Sequence, residues 1–364
     1  MTVNPVNLLG LPRADLEQLF TEMGEKTFRA RQMMQWMYAR SVLRLDDMTD
    51  LSKTLRHTLG DRVEFGLPEV QERHQAVDGV IKWQLKAGDS QAIETVFIPE
   101  EGRGTLCVSA QVGCAMDCPF CATGRQGFNR NLSAAEIVGQ VMLARQELDS
   151  VAGPRISNVV FMGMGEPLAN LRAVVKAVDI LLDDFGFGLS RRRVTVSTSG
   201  LVPQLRKLGA ASNVALAVSL HAPDDVLRDV LVPINRRHPI AELLEACWNY
   251  ARTANLKDVT FEYVMLAGVN DSTEQARKLA RLLVNRPAKV NLIPFNPFPG
   301  SDFARSSQAV VNQFRQILLD AGIMTVTRKT RGDDIAAACG QLAGQVSNRV
   351  CVPLGRKMQQ DLLQ

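Results

Sequence analysis

The sequence predicts an α/β fold built on a parallel, barrel-like sheet, and two observations carry that prediction. Six strand-like runs, TLCVSAQ, ISNVVFMG, RRVTVSTSG, NVALAVSL, VTFEYVML and KVNLIPFN, alternate with helical stretches such as SAAEIVGQVMLARQEL and NLRAVVKAVDILLDD. Polar residues recur where those runs finish: Cys114 after the first, Gly163 to Glu166 after the second, Ser197 to Ser199 after the third, Ser219 and His221 after the fourth, Asn296 after the sixth. Right-handed crossovers align such strands in parallel, and the carboxyl edge of a parallel sheet is where α/β folds place their sites. An open doubly wound sheet is the competing arrangement.

Ahead of the sheet, RADLEQLFTEMG and KTFRARQMMQWMYAR repeat apolar residues at helical spacing, so residues 1–75 read as a small helical domain with Met33, Trp36 and Met37 in its core. Between Val80 and Pro99, β-branched and aromatic residues flank a polar break at Gly88 and Asp89, which predicts a hairpin within a bridging segment, residues 76–104. Residues 105–345 then form the barrel with its C-terminal loop, and 346–364 a tail.

Composition sets the outer limits. With 364 residues, 46% hydrophobic and 22% charged, the chain has ample material for a core. No apolar run is long enough to span a bilayer, and MTVNPVNLLGLPRADLEQ lacks a basic segment leading into an apolar stretch, so a cytoplasmic monomer without membrane contact is expected. Net charge is +4, divided as −3 over residues 1–100 and +7 over the remainder, so any polyanion partner is expected to meet the second part. Arg191 to Arg193, Arg236, Arg237, Arg328, Lys329 and Arg331 are the candidate phosphate contacts.

Three of the seven cysteines fall within eight positions, CAMDCPFC, as Cys114, Cys118 and Cys121. A lone buried cysteine is ordinarily a small hydrophobe, but three at this spacing after a strand point to a metal centre. Structural zinc wants a fourth ligand, and neither His nor Cys occurs between Thr123 and Leu220. An iron–sulfur cluster with three protein ligands and one open iron needs none.

Cys-x-x-x-Cys-x-x-Cys ahead of this strand–helix series resembles the radical S-adenosylmethionine (radical SAM) superfamily. The strings CVSAQVGCAMDCPFCATGRQGF, FMGMGEPLAN, VTVSTSG, VSLHAP, NLIPFNPFPG and RKTRGDDIAAACGQL, spanning about Cys107 to Leu342, resemble the RlmN family of RNA adenine C2 methyltransferases. The resemblance implies a partial (β/α)6 barrel, a 4Fe-4S cluster held by Cys114, Cys118 and Cys121, and S-adenosylmethionine on its open iron. Gly165, Glu166 and Pro167 would face the methionine side of that cofactor. Ser197, Ser219 and Asn296, with backbone at Leu220 and His221, would contact its carboxylate, ribose or adenine.

The resemblance further implies two catalytic cysteines and a base. Cys339 would take a methyl group from one S-adenosylmethionine, and a 5′-deoxyadenosyl radical from a second would remove hydrogen from that methyl. The sulfur-bound methylene would add to adenine C2, Glu94 would accept the C2 proton, and Cys107 would close a disulfide with Cys339 as the product leaves. Implied partners are an adenine of 23S rRNA, adenine 37 of certain tRNAs, and a reducing electron donor such as flavodoxin. The alternatives are C8 methylation, as in the related Cfr enzymes, and a non-catalytic zinc module that binds RNA. Cys247 and Cys351 have no comparable context.

Overall fold

The computed structural model describes residues 5–346 except 89, 151 and 152. Asp89 of the expected turn, Cys351 and nearly all of the tail lie outside the described residues.

The N-terminal part holds α1 (Arg13–Glu22), α2 (Phe28–Met34) and α3 (Lys53–Gly60), with a short parallel pair, β1 (Val6–Asn7) and β2 (Val63–Glu64), joining its ends. Met33, Trp36 and Met37 are buried, as their helical spacing predicts. A side chain at Gly10 would sit 2.6 Å from the Ala135 backbone nitrogen, so glycine lets this part press directly on the helix that follows the cysteine loop.

One sheet of ten strands organises the rest. Its antiparallel end is β3 (Val70–Gln75), β4 (Ile81–Lys86) and β5 (Ala92–Glu100), continuing into β6 (Arg103–Cys107). Within the described residues, β7 (Gln111–Gly113) and β8 (Phe128–Asn131) form a separate small hairpin around α4 (Ala122–Gln126). The parallel series then runs β6, β9 (Asn158–Phe161), β10 (Val194–Thr198), β11 (Ala215–Ser219), β12 (Val259–Met265), β13 (Ala288–Pro294) and β14 (Met324–Thr327), in chain order across the sheet.

Helices α5 (Ala134–Asp149), α6 (Leu171–Leu182), α7 (Val202–Ala211), α8 (Asp225–Leu231), α9 (Ile240–Thr253), α10 (Thr273–Leu283) and α11 (Gln308–Asp320) make the crossovers. Ser133 and Ser272 start α5 and α10 with full capping boxes, which satisfies the first-turn donors. The first and last parallel strands do not pair, so this is a partial (β/α) barrel. The six expected strands are all present, and β14 is a seventh. It is short and half-exposed, with Met324 57% and Val326 52% accessible, so it lacks the buried apolar run that marks the others.

The bridging hairpin is not a free-standing connector: β5 pairs with β6 and extends the barrel sheet, with Val96 opposite Cys107. Residues 70–75 join that extension as β3, rather than ending the helical part.

Candidate active site

Cys107 is the last residue of β6, on the carboxyl edge of the parallel sheet, and the chain there turns into the β7–β8 hairpin that carries the cysteine loop. Cys114 N–H donates to the Gly127 carbonyl at 2.8 Å, and Cys121 N–H to Cys118 at 3.1 Å, which folds the eight residues into a compact turn. The three thiols line one cavity together with Glu166, Ser197, Ser219, His221 and Cys339. Burial pushes all three thiols above the ordinary range, and Cys118 is raised further by Cys114 and Cys121. Thiols so placed resist ionisation until a cation pays for it.

As they stand, the three do not form a ligand set for a metal ion, nor does any other group of His, Cys, Asp or Glu among the described residues. What fits an iron–sulfur group is the donor chemistry, three half-buried soft ligands on one cavity wall.

The glycine loop after β9 is held against the segment that leads into the cysteines. Gly165 has φ +94° and a Cβ there would overlap Gln111, while a Cβ at Gly163 would come within 2.7 Å of Ser109 Oγ and the Val108 carbonyl. Glu166 and Pro167 line the cavity, and the Glu166 carboxylate is already engaged. Its Oε2 accepts from Ser199 N–H at 2.7 Å and Ser199 Oγ at 2.8 Å, and Oε1 accepts from Leu168 N–H at 3.0 Å. Burial raises the Glu166 carboxyl, with the Ser199 bonds opposing. A carboxylate has about four acceptor positions, so little of this one remains for a ligand.

Leu220 contributes backbone only: its N–H donates to the Glu262 carbonyl at 3.1 Å. His221 takes φ +59°, and its Nδ1 accepts from Val264 N–H at 3.1 Å, so the proton is on Nε2. Burial, with the Arg228 charge adding, lowers its pKa to about 3 and keeps the ring neutral. Asn296 does not line this cavity. Its amide donates to the Cys339 carbonyl at 3.2 Å and accepts from Arg305 at 2.8 Å, which makes it a support for the C-terminal loop.

Cys339 is exposed and lines a second cavity as well, beside Asn291, Asn296, Arg103, Lys329 and Arg331. Arg328 also lines both cavities, with Nη1 3.8 Å from Cys339 Sγ. Burial opposes the Arg328 charge, but attraction to Cys339, Glu262 and Cys107 outweighs it and holds the guanidinium firmly protonated. Cys107 is buried beneath, pushed up to about 12 by desolvation and by Cys339.

The loop itself is strapped on both sides. Ala122 N–H donates to the Gly340 carbonyl at 2.8 Å, Thr123 Oγ1 to Leu342, and Ala343 N–H to Glu94 Oε2 at 2.9 Å. Glu94 is buried and ion-paired with Lys82, where an exposed strand glutamate is the ordinary case, and it stands outside both cavities.

Three residues escaped sequence reading. Arg228 is fully buried and donates to Leu220, Ser219 and Ser199 carbonyls and to Asn235, tying the ends of β10 and β11 together; burial lowers it to about 10. Glu262 lines the first cavity with Oε2 buried and unpartnered. Lys82 holds Glu94. None of the three lies in a distinctive string, and an isolated Arg or Glu in an amphipathic run gives no signal. Arg191 to Arg193, singled out for phosphate, precede β10 and so lie at the opposite edge of the sheet from the cysteines; Arg191 donates to Asn255 and Arg193 to Ser157 carbonyls. Arg191 and Arg193 brace loops, because strand-preceding residues face away from the carboxyl edge.

Comparison with known proteins agrees with this geometry. Residues 6–65 match the ribosomal RNA large subunit methyltransferase N-terminal domain, and residues 108–280 the radical SAM superfamily. A radical SAM methyltransferase from Sphaerobacter thermophilus is 47% identical with TM-score 0.87, over 93% of this chain and 99% of that one. Looser matches include a domain of pyruvate-formate lyase-activating enzyme from Bacteroides vulgatus ATCC 8482 (21% identical, TM-score 0.38, 48% of this chain and 99% of that one). Another is the FeFe-hydrogenase maturase HydG from Carboxydothermus hydrogenoformans (13%, TM-score 0.46, 66% and 56%).

A partial parallel barrel with a cysteine triad at its carboxyl edge therefore defines a radical SAM enzyme. Its N-terminal domain and its likeness over nearly the whole chain narrow this further. The chain belongs to the RlmN family of radical SAM methyltransferases.

Proposed function

We propose that the enzyme methylates C2 of adenine in RNA, in 23S rRNA and at position 37 of certain tRNAs, through a methyl group carried on Cys339. The observation that supports this most is that Cys339 borders both cavities, one walled by the cysteine triad and the other by Arg103, Arg328, Lys329 and Arg331. A carrier must reach a methyl donor on one side and a polyanion on the other.

Cys114, Cys118 and Cys121 would hold the 4Fe-4S cluster, and with S-adenosylmethionine bound it supplies the 5′-deoxyadenosyl radical. Gly165, Glu166, Pro167, Ser197, Ser219, Leu220, His221 and Asn296 would shape the cofactor's surroundings, several of them by fixing backbone rather than by direct contact. The neutral His221 ring offers an Nε2–H donor, and the unpartnered Glu262 oxygen an acceptor.

Adenine C2 and the methyl of S-adenosylmethionine are both electrophilic, so a soft thiolate between them resolves the mismatch. The Cys339 thiolate takes the methyl, and the Arg328 guanidinium stands beside the sulfur, with Nη1 at 3.8 Å. After hydrogen is removed from that methyl and the carbon joins C2, the unpaired electron left on the ring leaves to a one-electron acceptor and Glu94 accepts the C2 proton, which restores the aromatic ring. Cys107 then attacks Cys339 sulfur, closing a disulfide as the carbon–sulfur bond breaks and the methylated base takes a proton. Position supports this pairing: Cys107 ends β6, and Cys339 is among the groups that raise its thiol.

Anaerobically reconstituted enzyme incubated with transcribed rRNA and tRNA fragments should give 2-methyladenine. A product methylated at C8 alone would overturn the assignment.

A further inference from the structure

Glu94 is engaged in a way that a waiting base does not require. Its Oε1 lies 3.0 Å from Lys82 Nζ, and Oε2 accepts from Ala343 N–H at 2.9 Å. Lys82 also donates to the Ala336 carbonyl at 3.3 Å. Both side chains are buried. The two backbone contacts fall on either side of Cys339, three residues before it and four after. One ion pair between adjacent strands thus grips both stems of the loop that carries the exposed thiol.

Register adds the second half. Lys82 pairs with Val96 and Val96 with Cys107, so Lys82, Glu94, Val96 and Cys107 share one face of the sheet. The groups facing Glu94 are therefore the Lys82 ammonium from β4, the Cys107 thiol from β6, and backbone N–H from the loop. Bonds to an ionised carboxylate are about twice as strong as neutral ones, so the grip depends on the Glu94 charge.

We propose that Lys82 is a positioning residue and that the Lys82–Glu94 pair is a latch on the Cys339 loop, released when Glu94 takes up a proton. The proposal rests on Glu94 being the C2 base. The proton leaving C2 passes to the Glu94 carboxylate, the electron pair of the C–H bond stays with the base ring, and the odd electron left by the radical addition leaves to a one-electron acceptor. Glu94 becomes neutral while Lys82 keeps its charge. The charge-assisted part of both contacts is lost, and the loop stems at Ala336 and Ala343 loosen. Cys339 then approaches Cys107. Deprotonation thereby precedes disulfide closure, because the first event frees the segment that the second must move.

Hydrogen exchange of the 336–343 amides tests this on the reconstituted enzyme. Lys82→Met and Glu94→Gln should each speed exchange at Ala343 by about tenfold or more, with β9 to β13 unchanged, and Lys82→Arg should restore protection. Unchanged exchange in both Lys82→Met and Glu94→Gln overturns the latch. In Cys107→Ala enzyme holding the RNA adduct, the same amides should exchange at the fast rate with Lys82 and Glu94 intact. Loosening in the variants but full protection in the adduct leaves the latch standing and overturns proton-triggered release, while Glu94 as the base is overturned separately, by undiminished 2-methyladenine formation in Glu94→Gln.

Discussion

His221 shows how one residue's environment decides its chemistry. Burial and Val264 N–H on Nδ1 make it a permanent neutral donor. Its folded pKa lies below the ordinary 6.5, so its share of stability is present above pH 6.5 and is lost progressively as pH falls toward about 3. Thermal unfolding of His221→Gln across that window should show a shallower acid slope than the parent, by up to about 1.4 kcal/mol per pH unit. Equal slopes would mean the ring is not buried neutral. Cys339→Ala should abolish methylation of the protein, whereas Cys107→Ala should accumulate a covalent RNA adduct; mass spectrometry of the protein reads both, and abundant released product from Cys107→Ala would contradict its role.

At the scale of elements, strand ends and the turns after them carry the site, and two contacts hold them in place. Gly165 combines a positive φ with backbone pressed on Gln111, so Gly165→Ala should destabilise by about 1–3 kcal/mol and weaken S-adenosylmethionine binding, measured by unfolding and equilibrium titration. Arg228 joins the ends of β10 and β11 with the start of α8. Arg228→Met leaves the Ser199, Ser219 and Leu220 carbonyls without that donor and should cost about 3 kcal/mol or more in denaturant unfolding. A change under about 0.5 kcal/mol would show that water replaces the guanidinium without loss.

Legibility followed the same division. CAMDCPFC, the glycine loop and the six buried strands carry signal because each needs specific residue types at fixed spacing. Lys82, Arg228 and Glu262 do not, since their partners are distant in sequence and any charged residue occupies a strand or helix position without comment. β14 gives no signal for want of a buried apolar run, and the bond from Asn296 to the C-terminal loop is equally unreadable, because strand-end position cannot say which way an amide turns.

For the whole molecule, the extending hairpin and the barrel edge hold the C-terminal loop, while the helical N-terminal part packs on α5 and α6. The surplus of positive charge lies in residues 101–364, and the second cavity draws Arg103, Arg328, Lys329 and Arg331 from that part. Lys329→Gln should weaken RNA binding about equally for different sequences and reduce the slope of log affinity against log salt by about one. Filter binding across a salt series reads this directly, and an unchanged slope would place the phosphate backbone elsewhere.

In the proposed reaction the transferred carbon passes through Cys339. The decisive test gives enzyme carrying an unlabelled methyl on Cys339 carbon-13-methyl S-adenosylmethionine and RNA for a single turnover. The first methylated adenine should carry the unlabelled carbon from the protein, with label arriving on RNA only afterwards. Labelled carbon in the first-turnover product, with the Cys339 methyl still in place, would contradict it.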